Sequence, residues 1–455
     1  MTELVHFVLA ISVIPKESLR DKCTEYCYCG NKNLICRKKL AYFVVMKKLL
    51  VLVAIVLISS TTLFAGGFQI NLQGQKQTGM GHTGTGLCLD NASILFNPGA
   101  LSFLDSLKGI YIGASFIMPK STYADYATRY VAHPVKHIGT PFTLYANYQF
   151  KKAKKLQCGL GIYTPFGSKV QWEDDWKGQF LIREIDLKTI FIQPTISYKV
   201  TDKIGIGAGF VYATGSFALR KGVPIQDSLG NYGEGSLEGK ASGYGFNAGI
   251  YIKASEKFSI GIDYRSEVKV AISGGTAEFV VPLSVANYFP TTTFSTSIRL
   301  PQMATLGLGF TPTNKLKLAL DVNYVGWKSY DSLIIDFDEN TDKLKDIHSA
   351  RMYKNAYIFR LGAQYKLNEK WTLRLGTYYD MTPVQAGYLT PETPDADKLG
   401  ITAGASFNVT KKLHIDASFL YIEGKKRTDT NLETDFTGTY KTRALVPGVS
   451  LEYVF

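Results

Sequence analysis

The chain closes on Val449-Ser450-Leu451-Glu452-Tyr453-Val454-Phe455, with Val449, Leu451, Tyr453 and Phe455 on one side and Ser450, Glu452 and Val454 on the other. Successive side chains of a strand point to opposite faces, so this alternation makes an apolar wall backed by a more polar one. The rhythm recurs upstream. Phe258, Ile260, Ile262 and Tyr264 alternate with Ser259, Gly261, Asp263 and Arg265. Leu316, Leu318, Leu320, Val322 and Tyr324 alternate with Lys317, Ala319, Asp321 and Asn323, and Leu413, Ile415, Ala417, Phe419 and Tyr421 repeat the pattern. One such strand would suit a soluble sandwich as well; the connections decide.

Short polar turns carrying lysine fall at Lys151–Lys155, Thr201–Lys203, Ser255–Lys257, Thr311–Lys315, Asn368–Lys370 and Thr410–Lys412. Between them lie long connections at about 119–140, 165–185, 221–239, 276–298, 338–351, 382–397 and 424–438. Six short turns and seven long loops join fourteen strands. Sorting of loop length by parity belongs to outer-membrane barrels, with short periplasmic turns and longer extracellular loops. The expected fold is therefore all-β, a transmembrane antiparallel barrel of about fourteen strands over residues 107–455. Its outward rows face outer-membrane lipid.

A mean hydropathy near zero fits this, because outward and inward residues cancel. Beyond residue 66 no apolar run reaches the eighteen or so residues of a membrane helix. The one long apolar run, Leu49–Ala65, follows Met46-Lys47-Lys48 and exits through small residues. Residues 46–65 thus read as a secretory signal peptide cleaved after Ala65, with an uncleaved anchor helix as the rival. Residues 1–45, ahead of that complete signal, read as an upstream extension from a start codon assigned too early. Their Cys23, Cys27, Cys29 and Cys36 fit no paired zinc spacing, and no metal or cofactor is expected. Cys88 and Cys158 remain after export and read as two small apolar residues, Cys158 on the outward face with Leu156, Leu160 and Ile162. Residues 1–65 hold nine Lys/Arg and four Asp/Glu, so the formal +13 falls to about +8 without them. Part of that excess is solvated turn lysine, so no nucleic-acid partner is implied.

Residues 66–106 do not alternate and are rich in Gly, Asn, Gln and Thr. A fourteen-stranded barrel is wide enough to leak, and this segment is read as an N-terminal plug in its lumen. Here the chain resembles a known family. Gly66-Gly67-Phe68-Gln69-Ile70-Asn71, Asp90-Asn91-Ala92-Ser93 and Phe96-Asn97-Pro98-Gly99-Ala100-Leu101 look like the hatch of the long-chain fatty acid outer-membrane transporters, the FadL/OmpP1/TodX family. The likeness continues in order through Pro165-Phe166-Gly167, Asp174-Asp175-Trp176-Lys177-Gly178, Asp186-Leu187-Lys188-Thr189-Ile190, Tyr264-Arg265-Ser266-Glu267-Val268 and Leu300-Pro301-Gln302-Met303. It ends through Asp321-Val322-Asn323-Tyr324, Gly326-Trp327, Tyr353-Lys354-Asn355-Ala356-Tyr357 and Pro394-Asp395-Ala396-Asp397. One departure stands in the hatch turn, where the family's Asn-Pro-Ala becomes Asn97-Pro98-Gly99. Glycine adopts any conformation alanine can, so the turn is expected to survive with less rigidity.

The resemblance implies passive, hatch-gated uptake of hydrophobic compounds, long-chain fatty acids first, with a monoaromatic hydrocarbon as the alternative. It places Phe68 in a high-affinity pocket from which ligand displaces it, with lateral release through the wall at the third strand, where Gly159, Gly161 and Pro165 permit a bulge or kink. Lys354, at the outer end of the tenth strand and on its inward face, stands at a position the resemblance associates with ligand. From the residues themselves, Arg265, Lys269 and Arg360 face inward and could meet a carboxylate, but inward Asp263, Glu267 and Asp321 could instead pair with them. Phe279, Tyr288 and Phe289 make the loop at 276–298 unusually apolar, suited to landing a ligand or to loop-on-loop packing.

His82, His133, His137, His348 and His414 form no Ser/His/acid spacing, so no catalytic residue and no enzyme are expected. A surface adhesin or structural barrel is the competing class; a general porin would need no plug. Phe455 is the expected signal to the barrel-assembly machinery, and the barrel is expected to be a monomer in the bacterial outer membrane.

Overall fold

A computed structural model describes residues 67–455. The expected signal peptide at 46–65, its cleavage after Ala65 and the extension at 1–45 lie outside them.

Twenty-two strand segments join into one antiparallel sheet whose staves number fourteen. Stave 1 is β1 (Lys108–Ser115) continued by β2 (Met118–Asp125), stave 2 is β3 (Tyr130–Ala132) with β4 (Phe142–Gln149), and stave 3 is β5 (Leu156–Tyr163) with β6 (Gly167–Gln171). Single segments form staves 4 to 6, namely β7 (Glu184–Lys199), β8 (Ile204–Gln226) and β9 (Tyr232–Lys253). Staves 7 to 10 are each broken once: β10 (Phe258–Arg265) and β11 (Val268–Val280), β12 (Thr292–Leu300) and β13 (Met303–Thr313), β14 (Leu316–Val325) and β15 (Ser332–Phe337), β16 (Ile347–Ala350) and β17 (Ala356–Lys366). The last four are β18 (Trp371–Asp380), β19 (Lys398–Asn408), β20 (Leu413–Gly424) with β21 (Arg427–Thr430), and β22 (Thr437–Val454). β1 pairs with β22 from Gly109↔Val454 to Ser115↔Gly448, which closes the barrel.

The alternation read at the C-terminus holds. Val449, Leu451 and Tyr453 lie on the outside, while Ser450 and Glu452 are buried within. Large apolar side chains such as Ile112, Ile196, Phe210, Ile262, Leu375 and Ile401 are likewise exposed on the outer surface. In water each would cost about 1.5–3 kcal/mol, so lipid is the medium this surface fits. Near the short turns the outer row turns aromatic, with Tyr148, Tyr198, Phe258, Phe310, Tyr365 and Trp371, the girdle of a membrane interface.

The six short turns stand where they were expected. The loops do not all do so. The connection expected at 221–239 is mostly strand, since β8 and β9 stay in register out to Gln226↔Tyr232. The ladder bonds that hold a barrel continue wherever a period of two persists, and polar residues on both faces do not interrupt it. A second correction concerns Lys269. The break after Arg265 shifts parity, so Val268, Val270 and Ile272 turn inward and Lys269 is exposed.

Residues 67–107 fill the lumen with short helical turns, α1 (Gln75–Gly79), α2 (Ser93–Phe96) and a 3-10 turn at Pro98–Phe103. They touch the buried, inward side chains of the staves: Tyr111 Oη accepts from Gln75 N at 2.7 Å and Ser197 Oγ from Ser102 N at 3.1 Å. Much of this surface is bare wall backbone. A Cβ on Gly99 would lie 2.7 Å from Gly249 O and 2.8 Å from Gly205 O, and one on Gly159 would lie 2.7 Å from Ile94 Cδ1. Gly205 and Gly207, which would pass for ordinary strand residues, are the seat of the Pro98–Gly99 turn.

Candidate functional site

The site forms where the N-terminal residues meet stave 3. Gly67 N donates to Asp395 Oδ2 at 3.0 Å, Asp395 pairs with Lys398 at 2.7 Å, and Lys398 Nζ reaches Gly67 O at 3.5 Å. Gly67 sits at φ +63, where a Cβ would also come within 2.6 Å of the Trp327 ring. Glycine is required there on both counts. Phe68 is buried in an aromatic cage, with ring centroids 4.8 Å from Trp327, 5.8 Å from Tyr330 and 6.1 Å from Phe166. Tyr353 closes the ring of contacts behind Trp327 and Tyr330, at 5.8 and 5.1 Å.

Past Phe68 the chain pairs briefly with the wall. Gly167 N donates to Phe68 O at 3.2 Å and Ile70 N to Pro165 O at 2.8 Å. The wall is interrupted at the same place. β5 keeps register with β4 through Gly159 and Gly161 up to Tyr163↔Thr143, whereas β6 pairs with β7. Between them Thr164, Pro165 and Phe166 leave the ladder, Pro165 having no N–H to donate, and Phe166 turns into the cage. Gly159 and Gly161 therefore lie in regular strand and make room for Ile94 of the plug, and the kink belongs to Pro165.

Two narrow voids flank this junction. One is lined by apolar groups, among them Tyr163, Pro165, Phe166, Phe191, Val268 and Leu300; the other by Gln69, Asn71, Gln73, Thr305, Asn323 and Arg360. Arg265 and Met303 line both. Each has about 20 Å³ of free space, room for a water and far below the several hundred Å³ of a ligand pocket. A hydrophobic ligand can enter only if something moves, and Phe68, which packs on the Phe166 that lines the apolar void, is one large side chain whose departure would make room.

The inward cations are mostly engaged with plug and wall. Arg265 bonds Asp263 at 3.2 Å and the Leu95 carbonyl, while Arg360 donates to His82 O and Asn71 Oδ1, each at 3.1 Å. Asp321 accepts from Gly84 N and Thr85 N at 2.9 and 3.0 Å. Lys354 stands half-buried in the break between β16 and β17, and its N–H donates to Pro383 O. Partial burial and then Arg427 hold its pKa below the ordinary lysine value, against the pull of Asp397. Asn97 is wholly buried and donates to Thr85 O and Ile250 O at 3.0 Å, while its Oδ1 accepts from Gly99 N.

The connection expected at 276–298 is shortened to 281–291, because β11 runs to Val280 and β12 begins at Thr292; Phe279 at the end of β11 packs on Phe289 of that connection at 5.7 Å, beside exposed Tyr288, Val280 and Leu283, and none of these lines either void. The cage residues Trp327 and Tyr353 and the clamp residue Asp395 fall within stretches that resemble the family, though pattern alone gave them no role. Tyr330 and Lys398 carry no sequence signal of their own.

Relatives match most of this chain. The chain is 25% identical over 440 residues to the long-chain fatty acid transport protein of Escherichia coli O6:H1, covering 89% of this chain and 97% of the relative. It is 24% identical over 445 residues to outer membrane protein P1 of Haemophilus influenzae, covering 86% and 95%. Among solved structures, a Pseudomonas aeruginosa FadL homologue superposes with TM-score 0.75 at 18% identity, covering 86% of this chain and 100% of that one. The Pseudomonas putida toluene transporter TodX superposes at 0.67 and 17%, covering 87% and 99%. The model of the outer membrane protein transport proteins matches residues 55–455, and the chain belongs to this OMPP1/FadL/TodX family.

Proposed function

We propose that this protein carries long-chain fatty acids passively across the outer membrane, gated by its own N-terminus. The carrying observation is that Phe68 packs on Phe166, a residue of the break at Thr164–Phe166 that also lines the apolar void, while the backbone of Phe68 and Ile70 bonds to the same break. A tail that takes the place of Phe68 removes the partner of Pro165 and Gly167. Stave 3 then loses the bonds that hold its kink inward, and the tail leaves sideways into the membrane beside Pro165. Relatives named for long-chain fatty acid transport support the choice of ligand, and the exposed Val280, Leu283 and Tyr288 supply a landing surface for the tail.

A second reading, a monoaromatic hydrocarbon, is favoured by the all-aromatic cage, which a benzene-sized ring would fill in place of Phe68. Mass spectrometry of lipids extracted from the purified barrel tests the proposal. Free fatty acids bound in excess of their share of the membrane are expected; an empty barrel that conducts ions would overturn it.

A further inference from the structure

On the outer wall of staves 13, 14 and 1, cations gather at one level. Lys120 of β2 stands opposite Arg443 of β22, and Arg443 stands opposite Glu423 of β20. Lys441, opposite Thr122, is the next outward position along β22, and Lys425 and Lys426 follow β20. All lie about a dozen positions from the periplasmic ends of their staves. At about 3.3 Å per residue and a tilt of about 40°, that is about 30 Å, just past an apolar band of roughly 25 Å. Below them the outward rows hold exposed Phe116, Met118, Leu445 and Phe419. The cations therefore stand at the head-group level of the outer leaflet, with an apolar wall beneath.

Glu423 pairs with Lys441, and Asp397 with Lys425 at 3.2 Å. Among the described residues no carboxylate pairs with Lys120, Arg443 or Lys426; Lys426 lies over the exposed ring of Tyr126 at 4.7 Å. Like charges directly opposite across strands destabilise a sheet. The Lys120–Arg443 pair carries that cost, and Glu423, level with it, is already engaged by Lys441. Other outward cations near the rim meet acids. Lys169 lies 3.3 Å from both Glu184 and Asp186, Arg220 lies 3.2 Å from Glu184 and 2.9 Å from Glu234, and Arg299 lies 2.8 Å from Glu267.

We propose that this sector of the rim docks the phosphorylated saccharide head of an outer-leaflet glycolipid, whose acyl chains lie on the wall below. A phosphate between Lys120 and Arg443 turns their repulsion into charge-assisted hydrogen bonds, and the fork of arginine suits two phosphate oxygens. Lys425, Lys426 and Lys441 extend the patch along the rim, which fits a head carrying more than one phosphate better than a single ion. Clusters of Lys and Arg beside a membrane-spanning surface are the usual means of recognising anionic lipid. The apolar rows run straight into the patch, and a soluble phosphate would leave Met118, Leu445 and Phe419 without a role. The inference concerns the outer surface and holds whichever ligand the lumen carries.

Binding of diphosphoryl lipid A, of the same lipid with both phosphates removed, and of inorganic phosphate to the detergent-solubilised full barrel is measured for wild type and two triple variants. One carries Lys120→Gln, Lys426→Gln and Arg443→Gln. The other carries Lys188→Gln, Lys240→Gln and Lys269→Gln, exposed positions on staves 4, 6 and 7. Heat-modifiable gel mobility checks folding. Wild type should hold the diphosphoryl lipid about tenfold or more tighter than the dephosphorylated one. The first variant should lose that preference and the second should keep it. No preference for phosphate in wild type would overturn the inference. So would equal losses in both variants, which would mean diffuse attraction by net charge. If the first variant loses inorganic phosphate but keeps the lipid, the sector binds a free anion and the lipid assignment fails. Should the first variant not fold, Lys120→Gln alone decides: a reduced preference for the diphosphoryl lipid supports the proposal, and an unchanged one counts against it.

Discussion

At the scale of single residues, the site depends on what is absent as much as on what is present. Phe68 lies between three aromatic rings, and burial of such a side chain contributes about 1.5–3 kcal/mol. Phe68→Ala should therefore loosen the N-terminal residues without ligand and change fatty acid uptake, with the barrel still folding. Limited proteolysis and uptake assays check this; wild-type behaviour in both would remove Phe68 from the gate. Gly99 makes a contrasting case. The sequence suggested a turn merely less rigid than one with alanine, but its Cα faces the carbonyls of Gly205 and Gly249. Gly99→Ala should cost about 1–3 kcal/mol by overpacking, seen as a plug that is protease-sensitive inside an intact barrel; an unchanged digestion pattern would mean the wall yields. Lys354 is half-exposed, so screening weakens it. Lys354→Ala should weaken binding of palmitic acid more than that of its methyl ester, and equal losses for both would mean that the residue only shapes the pocket.

Among the elements, stave 3 is where the wall is divided. Beyond Tyr163 its outer segment β6 has lost the ladder to stave 2; what remains includes the bond from Val135 N to Gln171 O at 2.7 Å and contacts of the Thr164 hydroxyl with Phe142. If ligand leaves here, a bridge across the gap should trap it. With Cys88 and Cys158 replaced by serine, a Val135→Cys, Gln171→Cys pair should abolish uptake when oxidised, keep fatty acid binding, and recover on reduction. Uptake that persists with the disulfide formed would rule out this exit. Pro165 announced the interruption in sequence, because a residue without an N–H weakens any ladder it enters. The break after Arg265 did not announce itself: Ser266 and Glu267 carry no turn signal, and one slipped residue reverses every later side chain of the stave, as Lys269 shows. Periodicity reads strands well and the phase between strands poorly.

Across the whole molecule, the plug is fastened most strongly far from its movable end. Lys76 of α1 pairs with Glu452 of β22 at 2.5 Å and lies 3.6 Å from Asp90 and 3.8 Å from Asp416, while Arg374 of β18 stands 3.7 Å from Asp416. These partners lie up to 376 positions apart, a distance over which no local pattern in the sequence carries information. The closed barrel, its turns and the Phe68 end were legible because alternation, turn chemistry and family likeness are local; the lock was not. Removing one member of a buried ion cluster leaves the others uncompensated and typically costs about 3–5 kcal/mol. Lys76→Met leaves Asp90, Asp416 and Glu452 facing Arg374 alone, so the middle of the plug should come away from staves 13 and 14. In planar bilayers this variant should conduct ions where wild type is nearly silent, and Phe68→Ala, which frees only the tip, should stay nearly silent too. A quiet Lys76→Met barrel would mean that the glycine-lined wall grips the plug firmly enough without the ion cluster. If both variants conduct, the N-terminal residues and the plug move as one body, and the local gate proposed at Phe68 would have to be replaced by displacement of the whole segment.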